Sequence, residues 1–463
     1  MASKFVVNAA FEARLLLRPP RQRGISPRTV LQLEYPTLQT LGSRSYSDST
    51  SLKSAGSPEG SQSSGPKDKK WFSSETWDKV RGWGKALGLG AIGITFTGYV
   101  TQEMWKNWYE GFQRRAHEST RESAIYDQLK KGPIFRRAIK YTIPRKGLVE
   151  EIKDIVTPTE EDRLYSLIIG EHGTGKTSLI KLVVNGMDEP KGVVYVRIPN
   201  RCSLEVDVAR AMQKSLGWGL DPLIDPSEPA TLEEVLQTFS RLTTKYKQEY
   251  GRAPVLIVDN ANRLAQKLPE LLDLFQDYAK DAADEGTAVV VYVSSEGWVP
   301  RRMMGRSSWS RRGEIIEIGD VSKEEALHYL RLRNIDGEQA AQIYHLVGGR
   351  MIHLKFIADK LERNSLFEDT RQMMLNDAKG QLLDAEVLPK RRYHKEGAVI
   401  MRELLKKGSI SWDAFYDLVD ADAGDKLLEA NIFAFHLNSQ EITFQSTVMK
   451  RFCEENSALW QGN

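Results

Sequence analysis

Cysteine is almost missing: Cys202 and Cys453 are the two in 463 residues, far apart and outside any His/Cys cluster. That excludes a disulfide framework and a structural zinc site, and leaves two ordinary buried thiols. A large charge excess is missing as well, since 65 Lys and Arg stand against 62 Asp and Glu for a net charge of +3. Bulk electrostatics therefore singles out no class of partner. The chain also does not open on the continuous apolar core of a secretory signal. What is present is a globular composition, 41% hydrophobic and 27% charged, in a chain long enough for two or three domains.

The most informative stretch is Leu164 to Val184, a short apolar run, a glycine-rich turn and an amphipathic segment. Within it Gly170, Gly175, Lys176 and Thr177 satisfy G-x-x-x-x-G-K-[ST], the phosphate-binding P-loop. Glycines let backbone N–H groups curl around phosphate oxygens, and the helix that follows points its positive dipole end at the same anion. Gly170, Glu171, His172, Gly173, Thr174, Gly175, Lys176, Thr177 and Ser178 are the expected nucleotide-binding residues. Lys176 is expected to reach the β- and γ-phosphates and Thr177 to hold Mg2+.

Strand and helix patterns then alternate. Strands are expected at 193–198, 255–258, 288–294 and 314–318, and helices at 204–216, 231–246, 264–283 and 323–332. Apolar, β-branched strands between helices imply an α/β fold with a parallel sheet covered on both faces. The strand Val255-Leu256-Ile257-Val258 ends in Asp259, where a carboxylate can hold the water shell of Mg2+ beside Thr177. No Asn/Thr-Lys-x-Asp guanine signature occurs.

GEHGTGKT, LIVDN, the strand ending in Ser294-Ser295, RSSWSRR and Gly348-Gly349-Arg350 occur in the order found in AAA+ ATPases and their STAND relatives. The chain resembles this family from about Pro144 to Leu361, nearest to its archaeal-type and origin-recognition members. The resemblance implies ATP as the nucleotide, with the segment 143–152 near the adenine. It also implies Ser294 or Ser295 at the sensor-1 position, Arg350 at the sensor-2 position on a helical lid, and Arg311 or Arg312 as an arginine finger reaching a neighbouring copy in a homo-oligomer. One departure stands out: the family usually has Glu after the Walker B Asp, and here Asn260 follows Asp259. An amide holds a water but cannot accept its proton, and general-base help is typically worth about 10²- to 10⁴-fold. Slow ATP hydrolysis, a substitute base at Glu171 or His172, or a nucleotide-dependent switch all remain open.

Residues 1–46 carry Arg14, Arg18, Arg21, Arg23, Arg28 and Arg44 against Glu12 and Glu34, the composition of a mitochondrial transit peptide. A Ser/Gly/Pro linker follows at 47–82. The uncharged run from Ala86 to Gln102, flanked by Trp83 and by Tyr99, Trp105 and Trp108, is read as a single transmembrane helix at 83–105, in the mitochondrial inner membrane. A helical connector at 106–142 would then lead to a P-loop ATPase core at 143–320 and a helical lid at 321–385.

Residues 386–463 read as three short helices, a hairpin around Asn438-Ser439 and a closing helix, resembling a winged helix. Its middle helices carry Asp413, Asp417, Asp420, Asp422, Asp425 and Glu429, which would repel phosphates and disfavour nucleic acid as a partner. Two functions follow: a membrane-anchored ATPase that remodels or assembles a protein client, or an ATPase tethering mitochondrial DNA or RNA. A non-hydrolysing scaffold is the third.

Overall fold

The computed structural model describes residues 89–135, 141, 143, 145–218, 230–295 and 298–461. The expected transit peptide at 1–46, the expected linker at 47–82 and residues 83–88 of the expected span lie outside them. Of the span expected at 83–105, residues 89–105 are described, and among the described residues no helix is long and apolar enough to cross a membrane. Residues 89–105 instead open one 43-residue helix, α1 (Leu89–Lys131). Glu103, Lys106, Glu110, Arg114 and Arg115 follow directly in that helix. The apolar run ahead of them is shorter than the roughly 20 residues a bilayer requires. At its far end α1 buries Ile125, Tyr126 and Leu129 in the core, whereas Trp105, Trp108 and Phe112 stay exposed, with Trp108 stacked on Phe112.

The core follows in chain order as α2 (Lys146–Val156), β1 (Tyr165–Ile169), α3 (Lys176–Asn185), β2 (Val193–Arg197), α4 (Glu205–Ser215), α5 (Leu232–Tyr250) and β3 (Val255–Asp259). It continues through α6 (Asn262–Lys267), α7 (Pro269–Glu285), β4 (Val289–Val293), α8 (Trp298–Met304), a 3-10 turn (Ser307–Arg311) and β5 (Arg312–Glu317). All five strands are parallel, in the order β2-β3-β4-β1-β5. β1, β3 and β4 are buried along their whole length, as central strands covered on both faces must be. The edge strand β5 keeps Arg312 and Glu314 exposed, a charge pattern that discourages pairing with another chain.

Local chemistry explains the element ends. Thr231 and Glu234 close a capping box at the start of α5, and Ser322 and Glu325 do the same for the helix that follows β5. The single helix expected at 264–283 is two, because Pro269 lacks an N–H and begins α7 after a non-helical Leu268.

Beyond β5 come α9 (Lys323–Leu332), α10 (Gly337–Val347), α11 (Met351–Leu361) and α12 (Phe367–Asp384). The C-terminal module is α13 (His394–Lys407), β6 (Ile410–Ser411), α14 (Trp412–Leu418), α15 (Ala421–Glu429), β7 (Phe433–His436), β8 (Glu441–Phe444) and α16 (Thr447–Glu455). Its strands form an antiparallel sheet in the order β6-β8-β7. Buried side chains of α9–α12 and of this module make one contiguous hydrophobic cluster, from Val321 to Trp460. Lid and C-terminal module therefore share a core and are expected to move as one.

Candidate functional site

In a parallel sheet every strand presents its C-terminal end on the same edge, so β1, β3 and β4 deliver the P-loop, Asp259 and Ser294 side by side. β4 lies between β1 and β3, which sets Ser294 between the P-loop and Asp259. Gly170, Gly173 and Gly175 take φ of 140°, 86° and 106°, conformations that need glycine. A Cβ at Gly170 would lie 2.2 Å from the Ile318 carbonyl, so the loop also needs glycine for close approach. The loop runs into α3, whose first N–H groups have no partner within the helix.

Lys176 is 4% exposed, and its Nζ donates to the carbonyls of Gly170 (2.7 Å) and Glu171 (2.8 Å). Thr177 Oγ1 donates to Asp259 Oδ2 at 3.0 Å, the Asn260 N–H donates to Oδ1 at 2.9 Å, and Tyr195 Oη makes a third hydrogen bond to the same carboxylate. Burial, then the charge and hydrogen bond of Asp259, push the Tyr195 phenol far above its ordinary value, so it remains a donor. A hydroxyl beside a fixed carboxylate is the donor set Mg2+ prefers, and Thr177 and Asp259 fit the ion.

Around this pair lies a cavity of about 760 Å³, lined by the loop from His172 to Ser178 and by Asn260, Ser295, Arg197 and Arg263 at one end. Tyr141, Ile143, Arg145, Tyr329, Arg333 and Met351 also line it. Arg333 is held there by Asp359 (2.6 Å) and Glu362 (2.7 Å), with its guanidinium 4.8 Å from the Tyr141 ring. His172 is pushed below its usual value by burial and by the charges of Lys176, Arg350 and Arg263, so the cavity sits in a strongly cationic field.

The remaining expected residues fall in several places. Of the two serines, Ser295 lines the cavity, while Ser294 is buried and its N–H donates to Ile168 O. Asn260 also lines it, at a φ of 62°, and its side-chain nitrogen is buried without a hydrogen-bond partner among the described residues. Glu171 turns elsewhere: its carboxylate lies 3.6 Å from His436 and 3.9 Å from Arg350. A base role for Glu171 is therefore disfavoured.

Arg350 is buried, bonded to Asp320, to the His172 carbonyl (3.1 Å), and to Gln445 Oε1 (3.1 Å) and O (2.9 Å). It borders a second cavity of about 440 Å³ rather than the first. Arg311 pairs with Asp284 on α7, and Arg312 lies over the Trp309 ring at 4.6 Å. Sequence reasoning missed Tyr195, Arg197, Arg263 and His436. Arg263 carried the one readable signal, four residues beyond Asp259 in the chain.

Residues 149–357 match the family model of an ATPase domain predominantly from Archaea. No curated protein matches the chain. Among solved structures, a Walker-type ATPase of Pyrococcus abyssi is similar at 16% identity and a TM-score of 0.49, over 68% of this chain and 96% of that one. The ORC2 protein of Aeropyrum pernix in its ADPNP and ADP complexes is similar at 13% identity and a TM-score of 0.39, over 72% of this chain and 98% of that one. The ORC1 protein of Aeropyrum pernix in complex with DNA is similar at 14% identity and a TM-score of 0.38, over 68% and 93%.

Proposed function

We propose that this chain is a slow ATPase that uses Mg-ATP binding to reposition its lid and C-terminal module, and so to remodel or assemble a protein client. One observation carries the reading. Thr177 of the P-loop bonds Asp259, and Lys176 and Thr177 line a cavity large enough for a nucleotide that lid residues Tyr329, Arg333 and Met351 also line. Mg2+, when bound, supplies charge neutralisation to the phosphates. Lys176 and the N–H groups opening α3 bind the phosphates, while Tyr195 and Thr177 hold the Asp259 carboxylate in place. Asn260 can orient a water but not take its proton, which is why turnover is slow.

The test is Mg-ATP binding and single-turnover hydrolysis by the full chain. Lys176→Ala is expected to weaken binding roughly 10- to 100-fold. Asn260→Glu is expected to raise the single-turnover rate without tightening binding. Because Glu is costlier than Asn at φ 62°, by about 1 kcal/mol, its folding is checked in parallel. Failure of the wild-type chain to bind Mg-ATP sinks the proposal.

Import into mitochondria is part of the same reading, supported by the six arginines against two glutamates in residues 1–46. Uptake by isolated mitochondria with loss of a fragment near Tyr46 checks it, and unchanged uptake after deletion of those residues overturns it.

A further inference from the structure

Two arginines at the Asp259 end of the nucleotide cavity have no counterpart in the P-loop motif. Arg197 is the last residue of β2, paired in register with Asp259 of β3. Arg263 stands in the first turn of α6, four residues beyond Asp259 in the chain. Both line the cavity together with Asn260. Arg263 is fixed by a hydrogen bond from Nη1 to the Ile198 carbonyl, the residue that follows Arg197.

Several other arginines of the core and lid are paired with a carboxylate, among them Arg302 with Asp273, Arg311 with Asp284, Arg333 with Asp359, and Arg350 with Asp320, whereas Arg145 donates to the Gly319 carbonyl and Arg312 lies over Trp309. Among the described residues Arg197 and Arg263 have no such ion pair. The nearest acid is Asp259, whose oxygens already accept from Thr177, Tyr195 and the Asn260 N–H.

Burial and the neighbouring charge of Arg197 lower the Arg263 pKa against the opposing charge of Asp259, so the two guanidiniums repel one another. Beside them the Asn260 side-chain nitrogen is a buried donor with no acceptor. Two cations with no ion pair among the described residues and an unmatched donor, lining one cavity, describe a site for an anion with several acceptor oxygens. The P-loop fixes which anion reaches it. Lys176 lies at the loop and Asp259 marks the metal side, so the group beyond them is the end of the phosphate chain.

We infer that Arg197 and Arg263, on the same chain as the P-loop, grip the terminal phosphate of ATP and let a single copy distinguish ATP from ADP. The inference rests on the ATPase reading above and adds to it the means by which nucleotide state is sensed. It removes the requirement that Arg311 or Arg312 arrive from a neighbouring copy, which would first have to break the Arg311–Asp284 pair.

The experiment measures the affinities of Mg-ATP and Mg-ADP for the full chain, as wild type, Arg197→Gln, Arg263→Ala and Lys176→Ala. Each arginine variant is expected to lose roughly tenfold or more in ATP affinity while ADP affinity stays within about twofold, because a charge-assisted contact to one phosphate is removed. Lys176→Ala is expected to lose both nucleotides. The ATP-to-ADP ratio is expected to be the same across a hundredfold range of protein concentration.

Arg197 is exposed and Arg263 anchors the main chain, so Arg197→Gln carries the test if Arg263→Ala does not fold. An unchanged ATP-to-ADP ratio in a folded Arg197→Gln chain overturns the inference, and so does equal loss of both nucleotides. A ratio that rises with protein concentration overturns the single-chain assignment. Wild-type chain that binds neither nucleotide overturns the ATPase reading itself, an outcome distinct from these.

Discussion

At the scale of single residues, the site depends on how tightly one carboxylate is held. Asp259 is 2% exposed and accepts hydrogen bonds from a hydroxyl, a phenol and a backbone N–H, which orient it for a metal and compensate its burial. Tyr195→Phe removes the phenolic donor and little else. Hydrogen bonds to charged groups contribute about 1.5–3 kcal/mol, so the Mg2+ concentration needed for half-maximal ATP binding is expected to rise roughly tenfold. Binding of ATP without Mg2+ is expected to stay unchanged, and an unchanged Mg2+ requirement in titrations would show that Tyr195 only packs. The P-loop and Asp259 were legible because their spacing follows from the phosphate chemistry. Tyr195 was not, since a tyrosine in VVYVR reads as an ordinary strand residue.

At the scale of elements, the turn between α10 and α11 fixes the lid against the core. Gly348 has a φ of 61°, and a Cβ on Gly349 would lie 1.9 Å from the Val321 carbonyl. Those two glycines separate α10 from α11 and bring Arg350 to the P-loop. Gly349→Ala is expected to destabilise by roughly 1–3 kcal/mol through overpacking, read as a drop in the chemical-denaturation midpoint. By comparison Thr231→Ala, which removes the α5 cap far from the site, is expected to cost about 1 kcal/mol and leave nucleotide affinity unaltered. If Gly349→Ala is as stable as wild type, the close approach is not a constraint.

At the scale of the whole molecule, the C-terminal module meets the nucleotide core through a polar clasp, beside the Arg301–Asp425 pair and Leu437, which is buried in the core cluster. His436 of β7 meets Glu317 of β5 at 2.7 Å and Glu171 of the P-loop at 3.6 Å, and Gln445 takes Arg350. The Glu317 hydrogen bond, opposed by burial and helped by the charges of Glu171, Glu317 and Glu441, raises the His436 pKa. A histidine with a raised folded pKa stabilises fully below its unfolded value near 6.5, and that contribution is lost as pH rises through the folded value. The stability difference between wild type and His436→Gln is therefore expected to be largest below about pH 6.5 and to shrink toward alkaline pH. Thermal denaturation of both chains across that range checks it, and a difference that is flat or grows with pH refutes the clasp.

The sequence by itself determined the parallel sheet, its buried strands, the P-loop and Asp259, because each is local: a run of β-branched residues, a glycine turn and one strand end. It also suggested a membrane span at 83–105; among the described residues no helix is long and apolar enough to be one. Only the tertiary structure decided that lid and C-terminal module share one core, that Arg350 is occupied by Asp320 and Gln445, and that Arg197 and Arg263 meet beside Asp259. Those pairings join residues far apart in the chain, with Arg350 and Gln445 separated by 95 positions. Periodicity reports which face of an element is buried, and only packing decides what that face meets.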